Sequence, residues 1–135
     1  MEVNGKKIFL YMNFFVEDDS IGITKKIKAQ IKTLRKMGLE VSYCAYVNDG
    51  ASVFNNKDKV VFHKKYLLKN TKYQRLDRRF LLIRTVNKYL DEKKPKFDFA
   101  YLRWHTYDRP YLKMLKKLKD AGATNIVEAH AWTPN

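Results

Sequence analysis

Lys7-Ile-Phe-Leu-Tyr-Met12, a polar stretch as far as Gly22, then Ile23, Ile27, Ile31 and Leu34, then Gly38 and Glu40-Val-Ser-Tyr-Cys-Ala-Tyr-Val47: this opening third of the chain decides the fold class. The first run is apolar without alternation, the mark of a strand covered on both faces. Glu17, Asp18, Asp19 and Ser20 make the next stretch a loop. The isoleucines and Leu34 recur every three or four residues, so they share one face of a helix. Lys25, Lys26, Lys28, Lys32, Arg35 and Lys36 fill the other. Gly38 is placed to end that helix, and the second apolar run gives a second strand. Strand, loop, helix, glycine, strand is a βαβ unit, whose crossover is expected to be right-handed.

Working outward, Ala51-Ser-Val-Phe-Asn and Lys59-Val-Val-Phe-His63 read as two short strands around an Asn55-Asn56-Lys57-Asp58 turn. A helical pattern runs from Thr71 to about Lys93, carried by Tyr73, Leu76, Phe80, Ile83 and Leu90 and closed by Pro95. Phe97-Asp-Phe-Ala-Tyr-Leu102 is a third parallel-type strand. Asp108 can cap a helix with Pro110 in its first turn and Tyr111, Met114, Leu115 and Leu118 on its core side. Gly122 ends it, and Asn125-Ile-Val-Glu-Ala129 is the last strand. Strands alternating with helices mean an α/β domain with a mainly parallel sheet and helices on both faces.

The 135 residues are about one domain's length, and 45% hydrophobic with 14% aromatic content is enough to build a core. No stretch approaches the roughly 18 consecutive apolar residues of a membrane span, and the start does not read as a signal peptide. The single cysteine, Cys44, lies in an apolar run and reads as a buried thiol in a reducing compartment. Charge is the unusual quantity: 28 Lys and Arg face 14 Asp and Glu, a formal net charge of +14. Residues 57–96 hold 14 basic and 4 acidic side chains, a balance of +10. Such a field draws polyanions, be they nucleic acid, an anionic membrane surface or a phosphorylated substrate.

In open α/β sheets, sites form beyond the carboxyl ends of parallel strands. Three such ends collect polar residues here. The first is the loop with Ser20 and Gly22 at a helix mouth, where exposed N–H groups favour an anion and a glycine admits close approach. A plain strand–helix connection is the competing reading, since neither a GxGxxG nor a phosphate loop is present. The second is Arg103-Trp-His105-Thr-Tyr-Asp108, suited to a sugar or phosphate, or alternatively to aromatic lids with a paired arginine. The third is Glu128-Ala-His130, where alternation sets both side chains on one face about 7 Å apart. His63 reads as a solvated surface residue. Lys72, Arg75, Arg78 and Arg79 crowd one side of the long helix, either as a solvated face or as a patch for anionic lipid head groups.

The first strand, the Gly22 loop, the Ile/Lys helix, Gly38-Leu-Glu-Val, Asp98-Phe-Ala-Tyr-Leu-Arg103 and Ile126-Val-Glu-Ala-His130 occur in this order over nearly the whole chain. In this the sequence resembles the amino-terminal domain of GT-B fold glycosyltransferases, in particular the family four group of bacterial polysaccharide synthesis. The resemblance implies a Rossmann-like three-layer domain over residues 1–135, the acceptor-binding half of a retaining enzyme whose carboxyl-terminal donor-binding domain is absent. It implies a nucleotide sugar as donor substrate, a glycan or lipid-linked acceptor, no metal or other cofactor, and a cytoplasmic location at the inner membrane face. By position it makes His130 the catalytic residue facing the donor sugar. Arg103, His105 and Glu128 become acceptor-binding residues, with Ser20 and Gly22 in the donor-phosphate loop. This segment alone is expected not to catalyse transfer.

A basic, non-enzymatic α/β module gripping nucleic acid is the alternative, permitted by aromatics interleaved with Lys and Arg in residues 66–84. A receiver-like signalling domain would need a phosphoacceptor aspartate ending a later strand. The third parallel strand ends instead in Tyr-Leu-Arg103.

Overall fold

The computed structural model describes residues 4–12, 14, 16, 22–66, 74–103 and 109–128, leaving aside the side chains of Ile23, residues 74–79 and Glu128. The elements are β1 (Lys7–Tyr11), α1 (Gly22–Lys36), β2 (Glu40–Val47), β3 (Gly50–Phe54), β4 (Val60–Lys65), α2 (Gln74–Lys93), β5 (Phe99–Arg103), α3 (Arg109–Asp120) and β6 (Thr124–Glu128). The strands form one mixed sheet in the order β4-β3-β2-β1-β5-β6. β1, β2, β5 and β6 pair in parallel, and β3 runs antiparallel between β2 and β4. β3 alone therefore opposes the common strand direction.

Alternation along the strands sends residues to two cores. Phe9, Tyr11, Cys44, Ala51, Val53, Ala100 and Leu102 pack with α2 and α3 on one face. Ile8, Leu10, Val41, Tyr43, Ala45 and Phe54 pack with Ile27 and Ile31 of α1 on the other. The chain steps from β1 to β2 with α1 on one face. It steps the opposite way, from β4 to β5 and from β5 to β6, with α2 and α3 on the other. Reversing both direction and face preserves handedness, so the three crossovers share one hand, as a right-twisted sheet requires.

Glycines end α1 and α3 as the sequence predicts. Leu39 N–H bonds the Leu34 carbonyl at 3.2 Å and Gly38 N–H that of Arg35 at 3.0 Å; Ala123 and Gly122 repeat the pattern on Leu118 and Lys119. This double closure needs a left-handed residue, and Gly38 supplies it at φ 96° while Asn4 crowds the place a Cβ would take. Asp98 pins the register at the opposite edge: its carboxylate accepts Lys7 N–H at 2.8 Å, its own N–H donates to the Lys7 carbonyl, and its carbonyl accepts from Thr124.

β5 runs Phe99–Arg103, starting two residues later than the expected Phe97, and two further elements depart from expectation. β4 continues through Lys64 and Lys65, beyond the predicted end at His63, because pairing with β3 carries it past the apolar run. In α2 the buried set is Leu81, Leu82, Ile83, Thr85, Val86, Tyr89 and Leu90, wider than one stripe. α2 packs on the sheet below and on α3 beside it, which buries more than one stripe, while Arg84, Lys88, Asp91 and Glu92 keep its outer side exposed. Cys44 is buried as expected; burial pushes its thiol up to about 12, which keeps it protonated and unreactive. Among the described residues no helix is long and apolar enough to cross a membrane.

Candidate functional site

The carboxyl ends of β1, β2, β4, β5 and β6 and the starts of all three helices lie along one edge of the sheet. The strand order reverses between β1 and β5. The chain leaving β1 turns toward β2: the Phe14 carbonyl accepts Tyr46 N–H at 2.9 Å, and Val16 N–H donates to the Tyr46 carbonyl at 3.2 Å. The chain leaving β5 leads to α3, on the side of β6 and on the opposite face from α1. The reversal of strand order makes the tips of β1 and β5 the topological switch point, the crevice position at which open α/β sheets bind ligands.

Arg103 ends β5 at that crevice. It is half-buried, and alternation from Phe99 and Tyr101 sets it on the α1 face. The Tyr111 hydroxyl of α3 reaches 3.5 Å from its carbonyl oxygen, which ties the strand tip to the helix behind. In register, Arg103 is the partner of Glu128 at the end of β6. Gly22 is the first residue of α1, exposed, on the same edge and face as Arg103. A Cβ placed on it would meet nothing within 4 Å, and its backbone is not left-handed. Neither packing nor dihedral angle demands a glycine there. Of the predicted site, Gly22 and Arg103 are thus brought to one rim, and Glu128 shares it through its backbone. Ser20, His105, His130 and Lys72 lie outside the described residues, as do the side chains of Arg75, Arg78 and Arg79 in the first turns of α2.

What sequence reasoning missed is the charge of the helix mouths. The first turns of α1 and α3 contain no acid. They carry Lys25 and Lys26 in α1, and Arg109 in α3, all exposed. A helix amino end already bears about half a positive charge, so cations there work against the helix by a few tenths of a kcal/mol each. Together with Arg103 they lie along the same edge of the sheet, Lys25 and Lys26 on the face of Arg103 and Arg109 at the start of the helix on the other. The signal was available: lysines directly follow Gly22-Ile-Thr24 where a helix start ordinarily prefers Asp or Glu.

A second constellation lies on the β2–β3–β4 sheet. Ser52 Oγ is 2.6 Å from His63 Nδ1, and His63 Nε2 is 3.3 Å from Asp49 Oδ1. These are the residue types of a nucleophile–base–acid chain. Ser52, however, is 1% exposed in the middle of an interior strand, so its oxygen is not presented to a substrate. With the proton on Nε2, the serine donates to Nδ1 and the imidazole to Asp49, and the chain braces the turn between β2 and β3. His63 is therefore engaged rather than merely solvated, a contact invisible until strand register is known.

A third cluster sits at the opposite edge. Arg35 of α1 forks onto both Asp58 oxygens at 3.0 and 3.1 Å and donates through Nε to Asn56 Oδ1 at 3.1 Å. The Tyr43 hydroxyl donates to Asp58 at 2.8 Å, and Asn56 Oδ1 also accepts Val41 N–H at 2.8 Å. Asp58 holds φ 59°, a left-handed turn that aspartate tolerates. Partial burial works to raise its pKa, but the Arg35 and Tyr43 hydrogen bonds prevail and hold the carboxyl below its ordinary range. Burial, with the Asp58 carboxylate beside it, keeps the Tyr43 hydroxyl protonated.

Compared with known protein families, with curated proteins and with solved structures, the chain matches none.

Proposed function

We propose that this chain is the acceptor-binding, Rossmann-like half of a retaining GT-B glycosyltransferase, working against a donor-binding lobe that closes over the β1/β5 crevice. The observation that carries the reading is that the first turns of α1 and α3 hold no acid and bear lysine and arginine, on the edge of the sheet where Arg103 ends β5 at the strand-order switch. A nucleotide sugar brings a diphosphate, and a growing glycan on a lipid pyrophosphate brings another. Both are anions that such a rim attracts.

In this reading Arg103 grips an anionic group of the acceptor. The N–H dipoles at the start of α1, opened by Gly22 and backed by Lys25 and Lys26, ease the charge that develops on the departing nucleoside diphosphate. His130 and Glu128, at the end of the β6 segment, are assigned the transferred sugar and the acceptor by sequence position. The other lobe supplies donor binding, so the chain alone binds and does not turn over.

Backbone amide shifts on titration with a nucleoside diphosphate test the binding step. Perturbations at residues 22–26 and at Arg103 are expected; a map confined to the Arg35–Asp58 edge would exclude the crevice. Sugar transfer by the protein with both lobes tests the chemistry: Arg103→Ala is expected to raise the acceptor KM by about tenfold or more, the cost of one charged hydrogen bond to the acceptor. Unchanged turnover in His130→Ala would remove that residue from the mechanism.

A further inference from the structure

A groove of about 700 Å³ runs between α1 and the β3–β4 hairpin, on the sheet face that α2 and α3 do not cover. That volume lies within the range of small-molecule sites. Val16, Ile31, Tyr43 and Phe54 make its interior apolar, and the aliphatic stems of Lys28, Lys32 and Lys36 extend that surface outward. These three lysines are spaced by four, so they form a single row along α1 above the groove. Lys32 and Lys36 are exposed, so the row presents positive charge above the groove. Among the described residues the carboxylate lining the groove is Asp58, whose charge is countered by the Arg35 guanidinium and the Tyr43 hydroxyl.

Beside the groove's lower mouth, Met37 is 54% exposed, Val60 53% and Val61 38%. Val60 is the register partner of Phe54 and Met37 directly follows Lys36, so these two positions adjoin residues that line the groove. Exposed apolar groups among lysines mark surfaces that meet lipid. Nucleic acid fits less well. The Tyr43 and Phe54 rings stack on each other with centroids 5.0 Å apart, so the partners for base stacking are already taken up by one another.

We propose that this groove is a lipid site: it takes one acyl chain of an anionic phospholipid on its apolar interior and the lipid phosphate on the Lys28–Lys32–Lys36 row. It lies on the flank of the sheet and runs toward the edge opposite the β1/β5 crevice, so it stands whether or not the sugar-transfer reading does. It would seat the protein on a membrane surface through α1 and the hairpin.

The experiment is a calorimetric titration of the whole chain with palmitoyl lysophosphatidylglycerol below its micelle concentration, with amide shifts to locate the contact. Saturable binding of one lipid per chain is expected, with shifts at residues 28–36 and 54–60. Lys32→Glu combined with Lys36→Glu should weaken it about 30-fold, the loss of two cations at a lipid surface. Lys113→Glu with Lys116→Glu, the same charge change at exposed positions of α3 on the other face, should change it by less than about twofold. Equal binding of glycerol phosphate would overturn the acyl-chain assignment, and equal binding of lysophosphatidylcholine the phosphate assignment. Equal losses in the two double variants would reduce the effect to net charge. Displacement of the lipid by lower concentrations of oligothymidylate or polyglutamate would give the groove to nucleic acid or to an acidic protein instead.

Discussion

The two ends of α1 face opposite edges of the sheet and are built on opposite terms. At its carboxyl end Arg35 reaches Asp58, Asn56 and the carbonyls of Val41 and Asn55, and a left-handed glycine closes the helix. Polar groups there are spent on one another. At its amino end Gly22 touches nothing that a Cβ would disturb, and lysines stand where acids would serve the helix better. Groups that satisfy each other hold a fold together; groups left in unfavourable company are available to something else. The contrast separates the structural corner of this molecule from its candidate binding rim without reference to any relative.

The sharpest way to break this contrast is at the glycines. Gly50 opens β3 at φ 154°, and a Cβ there would collide with the Lys64 backbone carbonyl, which cannot move without breaking the β3–β4 pairing. Gly50→Ala is expected to cost about 3 kcal/mol, the upper range for forced overpacking, read as a fall in the urea midpoint. A cost under about 1 kcal/mol would mean the hairpin shifts freely and that its neighbours, the Ser52–His63–Asp49 chain included, are not rigid.

Arg35→Ala comes next, at about 2 kcal/mol, since it removes a bidentate charge-assisted pair and strands Asp58 on a partly exposed turn. The companion Asp58→Asn keeps the turn conformation and loses the charge, and its effect should depend on pH. The folded-state pKa of Asp58 lies below the ordinary value of about 3.9. Its contribution is therefore fully present above about pH 4 and disappears as pH falls through the lowered folded value. The gap in Tm between wild type and Asp58→Asn should be open at pH 7 and close on acidification below about pH 4. A gap that persists there would assign the effect to geometry instead of charge.

How much of this the sequence disclosed follows from what each feature depends on. β1, β2 and β5 were legible because strands covered on both faces need only be apolar. The stops at Gly38 and Gly122 were legible because a left-handed helix end has a nearly unique residue. For α2 the spacing of Phe80, Ile83 and Leu90 gives the direction of the core and not the burial of the flanking Leu81, Val86 and Tyr89, since a helix with the sheet below and a second helix beside it buries more than one stripe and keeps only the Arg84–Lys88–Asp91 side polar. The Arg35 clamp joins residues 23 apart across a turn, and His63 meets Ser52 only through register. Local spacing carries neither. Gly22 and Arg103 could be picked out as site residues because strand tips and helix mouths are fixed by element order alone.

The smallest expected effect bears most on function. Gly22→Ala introduces a methyl group into open space at a helix start, where alanine suits the backbone better than glycine, so stability should stay level or rise by up to about 0.5 kcal/mol. If an anion approaches the first turn of α1 as closely as the proposed function requires, the same methyl group should lower nucleoside diphosphate affinity about tenfold, near 1.4 kcal/mol. Measuring Tm and affinity on one preparation separates the two. Unchanged stability with weakened binding makes Gly22 a residue kept for a ligand. Unchanged values of both make it an ordinary helix start, and the anion then rests on Arg103, Lys25 and Lys26 alone.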